Sequence, residues 1–286
     1  MREFHSLDII GHETTIINFN PISEFGLAIY KCGNNPEGQP ELHNHDICEI
    51  YVHLAGDVTF VVENNIYAVS YGDIIITRPY ENHHAFYHNK NWQEHYCLFF
   101  HSDGNEYLFD PFFKRELGKN NLIVPNAQAK GKIISFCNTL LNKKLGELEK
   151  NLIFLNLIDI IGNSRKADSS SSELPDILIK SIDYISKNIS RQITIKELAE
   201  INHISIATLE RVFKEHIGFT PSKYILNQRL SLAESMLREE NSVSDTANAC
   251  GFSDDSTFIQ AFKKSFGMTP LKYTKHSKRA FALKII

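Results

Sequence analysis

Side chains able to do chemistry concentrate in two parts of this sequence. The first is the stretch HNHDICEIYVH, where His43, His45, Ile47, Glu49, Tyr51 and His53 fall on alternate positions. Alternate side chains of a regular strand share a face, so such a strand would bring three imidazoles and a carboxylate together. The second part is written twice: HISIATLERVFKEHIGFTP is followed downstream by GFSDDSTFIQAFKKSFGMTP. Leu209, Phe213, Lys214, Gly218, Thr220 and Pro221 recur as Phe258, Phe262, Lys263, Gly267, Thr269 and Pro270, each 49 residues later. Ala199, Ile204 and Ser205 recur 48 residues later as Ala247, Phe252 and Ser253, so the second copy has one extra residue between its turn and its longer helix. Each copy reads as a short capped helix, a tight turn and a longer helix, the layout in which the second helix enters the DNA major groove. On the longer helices an apolar side (Leu209, Val212, Phe213, Ile217; Phe258, Phe262, Phe266) opposes Thr208, Arg211 and Lys214, then Ser256, Thr257, Gln260, Lys263 and Lys264. The apolar side is core material, and the opposite side is equipped for base edges and phosphates.

Two kinds of element must position these groups. Between residues 41 and 100 the runs CEIYVHL, DVTFVVENNIYAV, DIIITRP and EHYCLFF alternate with turn residues, which predicts antiparallel β structure with a hairpin tip at ENN and a turn at SYGD. Near Ala129 the period changes, and leucines at 141, 145, 148, 152 and 155 form a helical stripe interrupted by Gly146. That stripe suits packing on the β domain, a seam with a second subunit, or both. NSRKADSSSSELP is polar and without apolar periodicity, as a linker is. The domains expected are therefore 1–162, with a linker at 163–174, and 175–286. In the last, helix starts are legible at Thr194 with Glu197, at Thr220 before Pro221, at Ser242 with Asp245 and at Thr269 before Pro270, giving roughly seven helices. The fold class expected is α+β: an antiparallel β-barrel followed by helices, then an all-α domain.

Composition fits this division. The chain has 286 residues, 42% of them hydrophobic, enough for two cores, and a net charge of −4. From Pro175 onward 16 Lys and Arg face 12 Asp and Glu, which leaves 14 against 22 in the first 174 residues, so positive charge gathers where the repeat lies. Cys32, Cys48, Cys97, Cys137 and Cys250 are odd in number and scattered, unlike a disulfide framework or a zinc cluster. The first residues lack a signal-peptide pattern, and LIFLNLIDII is shorter than the ~20 residues a membrane helix needs. A cytoplasmic protein is expected.

From about Asp176 to Tyr273 the chain resembles the AraC/XylS family of bacterial transcription regulators, through ITIKELAEINHIS, LERVFKEHIGFTPSKYILNQRL, ACGFSDDSTFIQAFKK and FGMTPLKY. The resemblance implies a seven-helix domain with two helix-turn-helix units joined by a long helix, Pro221 to Arg238. Eighteen residues span ~27 Å, suited to recognition helices in successive major grooves about 34 Å apart. It implies base contacts from Ala207, Thr208 and Arg211 and from Ser256, Thr257 and Gln260, with Lys214, Lys263 and Lys264 beside them. Arg211 would pair with guanine. Gln260, which stands where many members have arginine, would suit adenine. Asp254 and Asp255 are expected to cap a helix. Thr274 replaces a frequent arginine, with Lys275, Lys278 and Arg279 nearby.

Around the histidines the chain resembles a cupin barrel, with His43, His45, Glu49, Gly56, Gly72, Asp73, Pro79 and His83 matching. In metal-binding cupins such residues hold iron, manganese or zinc, which makes a metal site at His43, His45, Glu49 and His83, and a metal-dependent enzyme, the alternative. The sensor domains of AraC-type regulators carry the same barrel. That resemblance implies an effector pocket lined by His43, His45, Glu49, Tyr51 and His83 or His84, suited to a sugar. The favoured expectation is a homodimeric regulator, an activator, that binds double-stranded DNA and a small molecule and meets RNA polymerase. It has no catalytic residues, cofactor, metal or membrane partner.

Overall fold

In this computed structural model the described residues are 15–22, 27–34, 43–63, 65–88, 92–102, 106–142, 144–167 and 175–275. The chain divides into two compact units, Met1–Glu173 and Leu174–Ile286. Lys278, Arg279 and residues 168–174 of the serine-rich stretch lie outside the described residues.

The strands of the first unit are β1 (Thr15–Ile22), β2 (Leu27–Asn34), β3 (Cys48–Ala55), β4 (Val58–Val62), β5 (Asn65–Val69), β6 (Ile74–Thr77), β7 (His83–Tyr87), β8 (Gln93–Phe100), β9 (Leu122–Val124) and β10 (Arg165–Ala167). Seven join in the order β1-β2-β8-β3-β6-β9-β10 and three in the order β5-β4-β7, every pairing antiparallel. The expected barrel is not closed. Among the described residues no strand of one sheet pairs with a strand of the other; His83 of β7 forms only an isolated bridge with His43, ahead of β3, so neither β5 nor β7 continues the larger sheet. The β structure also extends beyond the stretch read from the sequence. β1 and β2 precede the stretch read as β structure. Residues 165–167, assigned by composition to the linker, pair with β9 because an extended segment can complete its open edge. The hairpin tip expected at ENN forms between β4 and β5, where Val62 pairs with Asn65 and Glu63 takes a positive φ, 49°.

Helices α1 (Asp110–Phe113), α2 (Ala127–Leu140) and α3 (Glu147–Asn163) cover one face of the larger sheet. Alternation along β3 builds two cores. Cys48, Ile50 and Val52 join Ile76, Leu98, Phe100, Cys137, Phe154 and Leu157 beneath the helices. Tyr51 instead meets Phe60, Val62, Tyr67, Ala85, Cys97 and Phe99 between the sheets. Burying one such aromatic contributes about 1.5–3 kcal/mol, so strands with both faces covered hold the unit together. Of the leucine stripe only Leu141, partly buried, is packed against this core. α3 buries Phe154, Leu157, Ile158 and Ile161, whereas Leu148 and Leu152 are 74% and 53% exposed and Leu141 and Leu145 lie between the helices.

The second unit contains α4 (Asp176–Asn188), α5 (Ile195–Ile201), α6 (Ile206–Ile217), α7 (Pro221–Arg238), α8 (Val243–Ala249) and α9 (Asp255–Phe266), and residues 270–275 are also helical. Thr194 and Glu197 form a complete capping box, and Thr220 caps α7 ahead of Pro221. The Ser242 hydroxyl accepts from the Asp245 amide, but its own proton goes to the Asp245 carboxylate at 2.6 Å, so that box is incomplete. Leu230, Ala233, Leu237, Ala247, Cys250, Phe258 and Phe262 form the core of the C-terminal half of this unit.

Candidate nucleic-acid interface and sensor site

In the second unit the duplicated sequence produces duplicated geometry. α5 and α8 each have seven residues and α6 and α9 each have twelve, with the extra residue of the second copy in its turn. Leu209, Phe213 and Ile217 of α6 are fully buried, as are Phe258 and Phe262 of α9. Packing these faces inward turns the polar sides out. Ala207, Arg211 and Lys214 are exposed and Thr208 half-buried on α6; Ser256, Thr257, Gln260, Lys263 and Lys264 are exposed on α9. Ala207, Glu210, Arg211, Lys214 and Glu215 line a shallow concavity of about 380 Å³.

Arg211 Nη1 donates to both carboxylate oxygens of Glu215, at 2.9 and 2.8 Å. An exposed pair one helical turn apart is worth ~0.3–0.5 kcal/mol, less than the ~1–3 kcal/mol of a bidentate arginine–guanine contact. The guanidinium is therefore held outward yet can exchange partners. Asp254 caps α9, accepting from the Thr257 amide at 2.8 Å, while Asp255 is the first residue of that helix.

The sensor-side residues are arranged differently from a single regular strand. β3 starts only at Cys48, because the chain bends at Asp46 and Ile47. His45 Nδ1 bonds Ile47 O at 2.9 Å and stabilises that bend. Its Nε2 still reaches Glu49 Oε2 at 3.0 Å, and His83 Nε2 from β7 lies 3.0 Å from the same oxygen. His43 contributes its ring, 4.4 Å from that of His83. His53 does not join them: Nε2 bonds Gly56 O at 3.1 Å, and Nδ1 therefore accepts from Tyr51 Oη at 3.2 Å. His84 is buried, but alternation along β7 sets it on the face opposite His83, Ala85 and Tyr87.

The turn before β7 orients His83. Glu81, buried and paired with Arg115, accepts from the Gly118 amide at 2.7 Å and the Arg78 amide at 3.0 Å, and its carbonyl accepts from His83 Nδ1 at 2.8 Å. Burial would raise the pKa of Glu49, but the His45 hydrogen bond and the nearby His83 outweigh it and hold the carboxyl well below its usual range. For His83, burial lowers the pKa and Glu49 more than reverses this.

Sequence reasoning missed several neighbours. Cys97 Sγ donates to Glu49 Oε1 at 3.5 Å, the Phe99 ring meets His45 edge-on at 5.4 Å, and Thr77 pairs in register with Glu49. His95 stacks on Tyr51 at 4.6 Å, and burial pushes its pKa down to about 4. Cys97, Phe99 and His95 share a face by alternation in EHYCLFF, but the register that sets them beside β3 is not written in either strand alone.

A helix-turn-helix domain profile matches residues 198–276, and an AraC-like ligand binding domain profile matches residues 28–110. The chain is 35% identical over 92 residues to the probable transcriptional regulator LumQ of Photobacterium leiognathi, covering 32% of this chain and 37% of LumQ. It is 40% identical over 94 residues to the uncharacterized HTH-type transcriptional regulator YobQ of Bacillus subtilis, covering 32% and 39%. These two matches thus span well under half of either relative. To the HTH-type transcriptional activator RhaS of Salmonella schwarzengrund it is 23% identical over 243 residues, covering 80% of this chain and 85% of that one. Among the described residues no helix is long and apolar enough to cross a membrane.

Proposed function

Because this chain belongs to the AraC family of transcriptional regulators, DNA-binding proteins rather than enzymes, we propose that it activates transcription by setting α6 and α9 into neighbouring major grooves while its first unit senses a small molecule. One observation carries the DNA side of this reading: two equivalent helices turn the same polar flank to solvent. Arg211 reads guanine, Gln260 reads adenine, Ala207, Thr208, Ser256 and Thr257 approach base edges, and Lys214, Lys263 and Lys264 hold phosphates. RhaS is named an activator, which supports the same sign of regulation here. Leu148 and Leu152, exposed one turn apart on α3, provide an apolar strip for a second copy of the chain. Selection of duplexes from a random pool by the purified protein should enrich two half-sites, and no enrichment overturns the reading. Replacing both leucines by glutamate should shift sedimentation from dimer to monomer.

The sensed molecule is proposed to bind around His43, His45, Glu49, Tyr51 and His83, where a hydroxylated compound such as a sugar would find both donors and acceptors. A specific observation favours a second reading, a divalent metal ion on His45, Glu49 and His83, whose ligand atoms all lie within 4.8 Å of one another. Both Nδ1 atoms face backbone carbonyls and must carry hydrogens, so neutral rings direct Nε2 lone pairs at a carboxylate unless a proton or cation intervenes. His83 Nε2, buried and 3.0 Å from Glu49 Oε2, is out of hydrogen-bond alignment with it. Donor atoms sharing one first-row cation at about 2.1 Å also stand about 3 Å apart. Bound metal would supply the charge that this cluster otherwise draws from protons. Protein dialysed against manganese or zinc should retain one equivalent and lose it on His83→Ala. Retention of none excludes the metal and leaves the organic effector, to be sought by thermal shift with a panel of sugars.

A further inference from the structure

The two helix-turn-helix units share more than the connecting helix. Their turns have the same backbone: His203 takes φ 55° where the second copy has Gly251 at 73°, and the next residue in each donates back, Ile204 N to Ala199 O at 3.1 Å and Phe252 N to Ala247 O at 3.0 Å. A histidine thus tolerates this turn in the first copy. At Gly251 a further constraint applies, since a Cβ there would stand 2.5 Å from the carbonyl oxygen of Ile189, in the α4–α5 connection ahead of the first helix-turn-helix. A contact to backbone cannot be relieved by swinging a side chain away.

Two hydrogen bonds cross at the same place. Gln192 Nε2 donates to Gly251 O at 3.0 Å, and Arg229 Nη2, from the middle of α7, donates to Arg191 O at 2.8 Å. The Arg229 guanidinium also lies 5.9 Å from the centroid of the Phe252 ring. The connecting helix α7, the α4–α5 loop and the α8–α9 turn therefore meet at one junction, and α9 starts only three residues after Phe252.

We infer that Gln192, Arg229 and Gly251 form a latch that sets the pitch between α6 and α9, making the protein selective for the spacing of its two half-sites. This rests on the DNA-binding reading above. A helix that pivots only at its ends leaves the second reader free to follow a displaced half-site; a reader tied through its turn does not follow. One inserted base pair rotates a half-site by about 35° as well as moving it, so a rigid pair of readers must give up part of its contacts. Gln192, Arg229 and Gly251 are positioning residues, because none lies on the polar flank of α6 or α9.

The test uses the full-length protein and one duplex recovered from the random pool, with derivatives that carry one extra base pair between the half-sites or only one half-site. Wild type should bind the extended duplex about tenfold more weakly, whereas Gln192→Ala and Arg229→Ala should narrow that difference to about threefold, with binding to the single half-site unchanged. An unchanged spacing profile in the variants overturns the latch, as does an equal loss on the single half-site, which would mark a general loss of stability. If Arg229→Ala does not fold, Gln192→Ala decides, since it removes one donor and no packing arginine. Wild type that binds the duplex without regard to spacing also sinks the latch but not the regulator; wild type that selects no duplex sinks the regulator itself.

Discussion

The two recognition helices are copies in backbone and not in chemistry. α6 and α9 have the same length, each is capped by a side chain that accepts from the third amide, and each ends at a glycine of φ 75° or 70°. Their surfaces diverge at aligned positions. The Arg211–Glu215 ion pair of the first helix corresponds, 49 residues on, to Gln260 and Lys264. The serine cap of the first is an aspartate in the second. Duplication thus preserved what places a helix in a groove and released what reads it. One unit is built around an oriented guanidinium, suited to one base step; the other pairs a neutral amide with two lysines, suited to affinity spread over phosphates.

If the copies are equivalent as folding units, their cores should fail alike. Phe213 and Phe262 occupy matching positions and both are fully buried. Phe213→Ala and Phe262→Ala should each cost about 3–5 kcal/mol in urea unfolding, the largest effect expected here. A loss under about 1 kcal/mol at either site would break the equivalence.

If they differ as readers, surface changes should part them. Arg211→Ala should cost about 1–3 kcal/mol on a selected duplex and relax preference at one base pair, while Gln260→Ala costs less and relaxes a different one. Fluorescence anisotropy against base-substituted duplexes measures both, and unchanged preference after Arg211→Ala removes that residue from direct readout. A smaller effect separates the positions one turn further on. Lys264→Ala should weaken binding to every sequence and flatten the slope of log K against log salt by about 0.9. Glu215→Ala, its counterpart, should leave the slope no flatter but reduce discrimination, because Arg211 loses its orienting partner. Equal slopes for wild type and Lys264→Ala would remove that phosphate contact.

How legible each region was follows from the range of its interactions. Caps, turns and the 49-residue offset are local, so the sequence alone yields α7 from Pro221 to Arg238 and the buried side of each reader. The sensor is assembled from pairings between distant strands. Glu49 meets His83 and Cys97 only because β3 lies beside β8 and opposite β7, and no spacing within one strand encodes that register. The bend at Asp46 and Ile47 broke the alternation on which three converging imidazoles depended, and His53 turned to Gly56 instead. The latch at Gly251 was hidden for the same reason: glycine there resembles any turn glycine until the carbonyl of Ile189 is found against it.

The finest distinction between the copies is that only one cap titrates. Asp254 is held below the ordinary aspartate value of 3.8, first by the hydrogen bond from the Thr257 amide and then by the Thr257 hydroxyl. A depressed carboxyl contributes stability that is complete above its unfolded value and is lost as pH falls through the folded one. Ser205 accepts from the Thr208 amide at 3.1 Å with a hydroxyl that keeps its proton throughout. Acidification from pH 5 to pH 3 should therefore loosen the first turn of α9 before that of α6. Amide exchange, normalised to the intrinsic rate at each pH, should show protection of Thr257 falling while that of Thr208 holds, and Asp254→Ser should make the two behave alike. Parallel loss in the wild type would mean that the unit yields to acid as a whole, and that the difference between its caps has no bearing on how each reader is held.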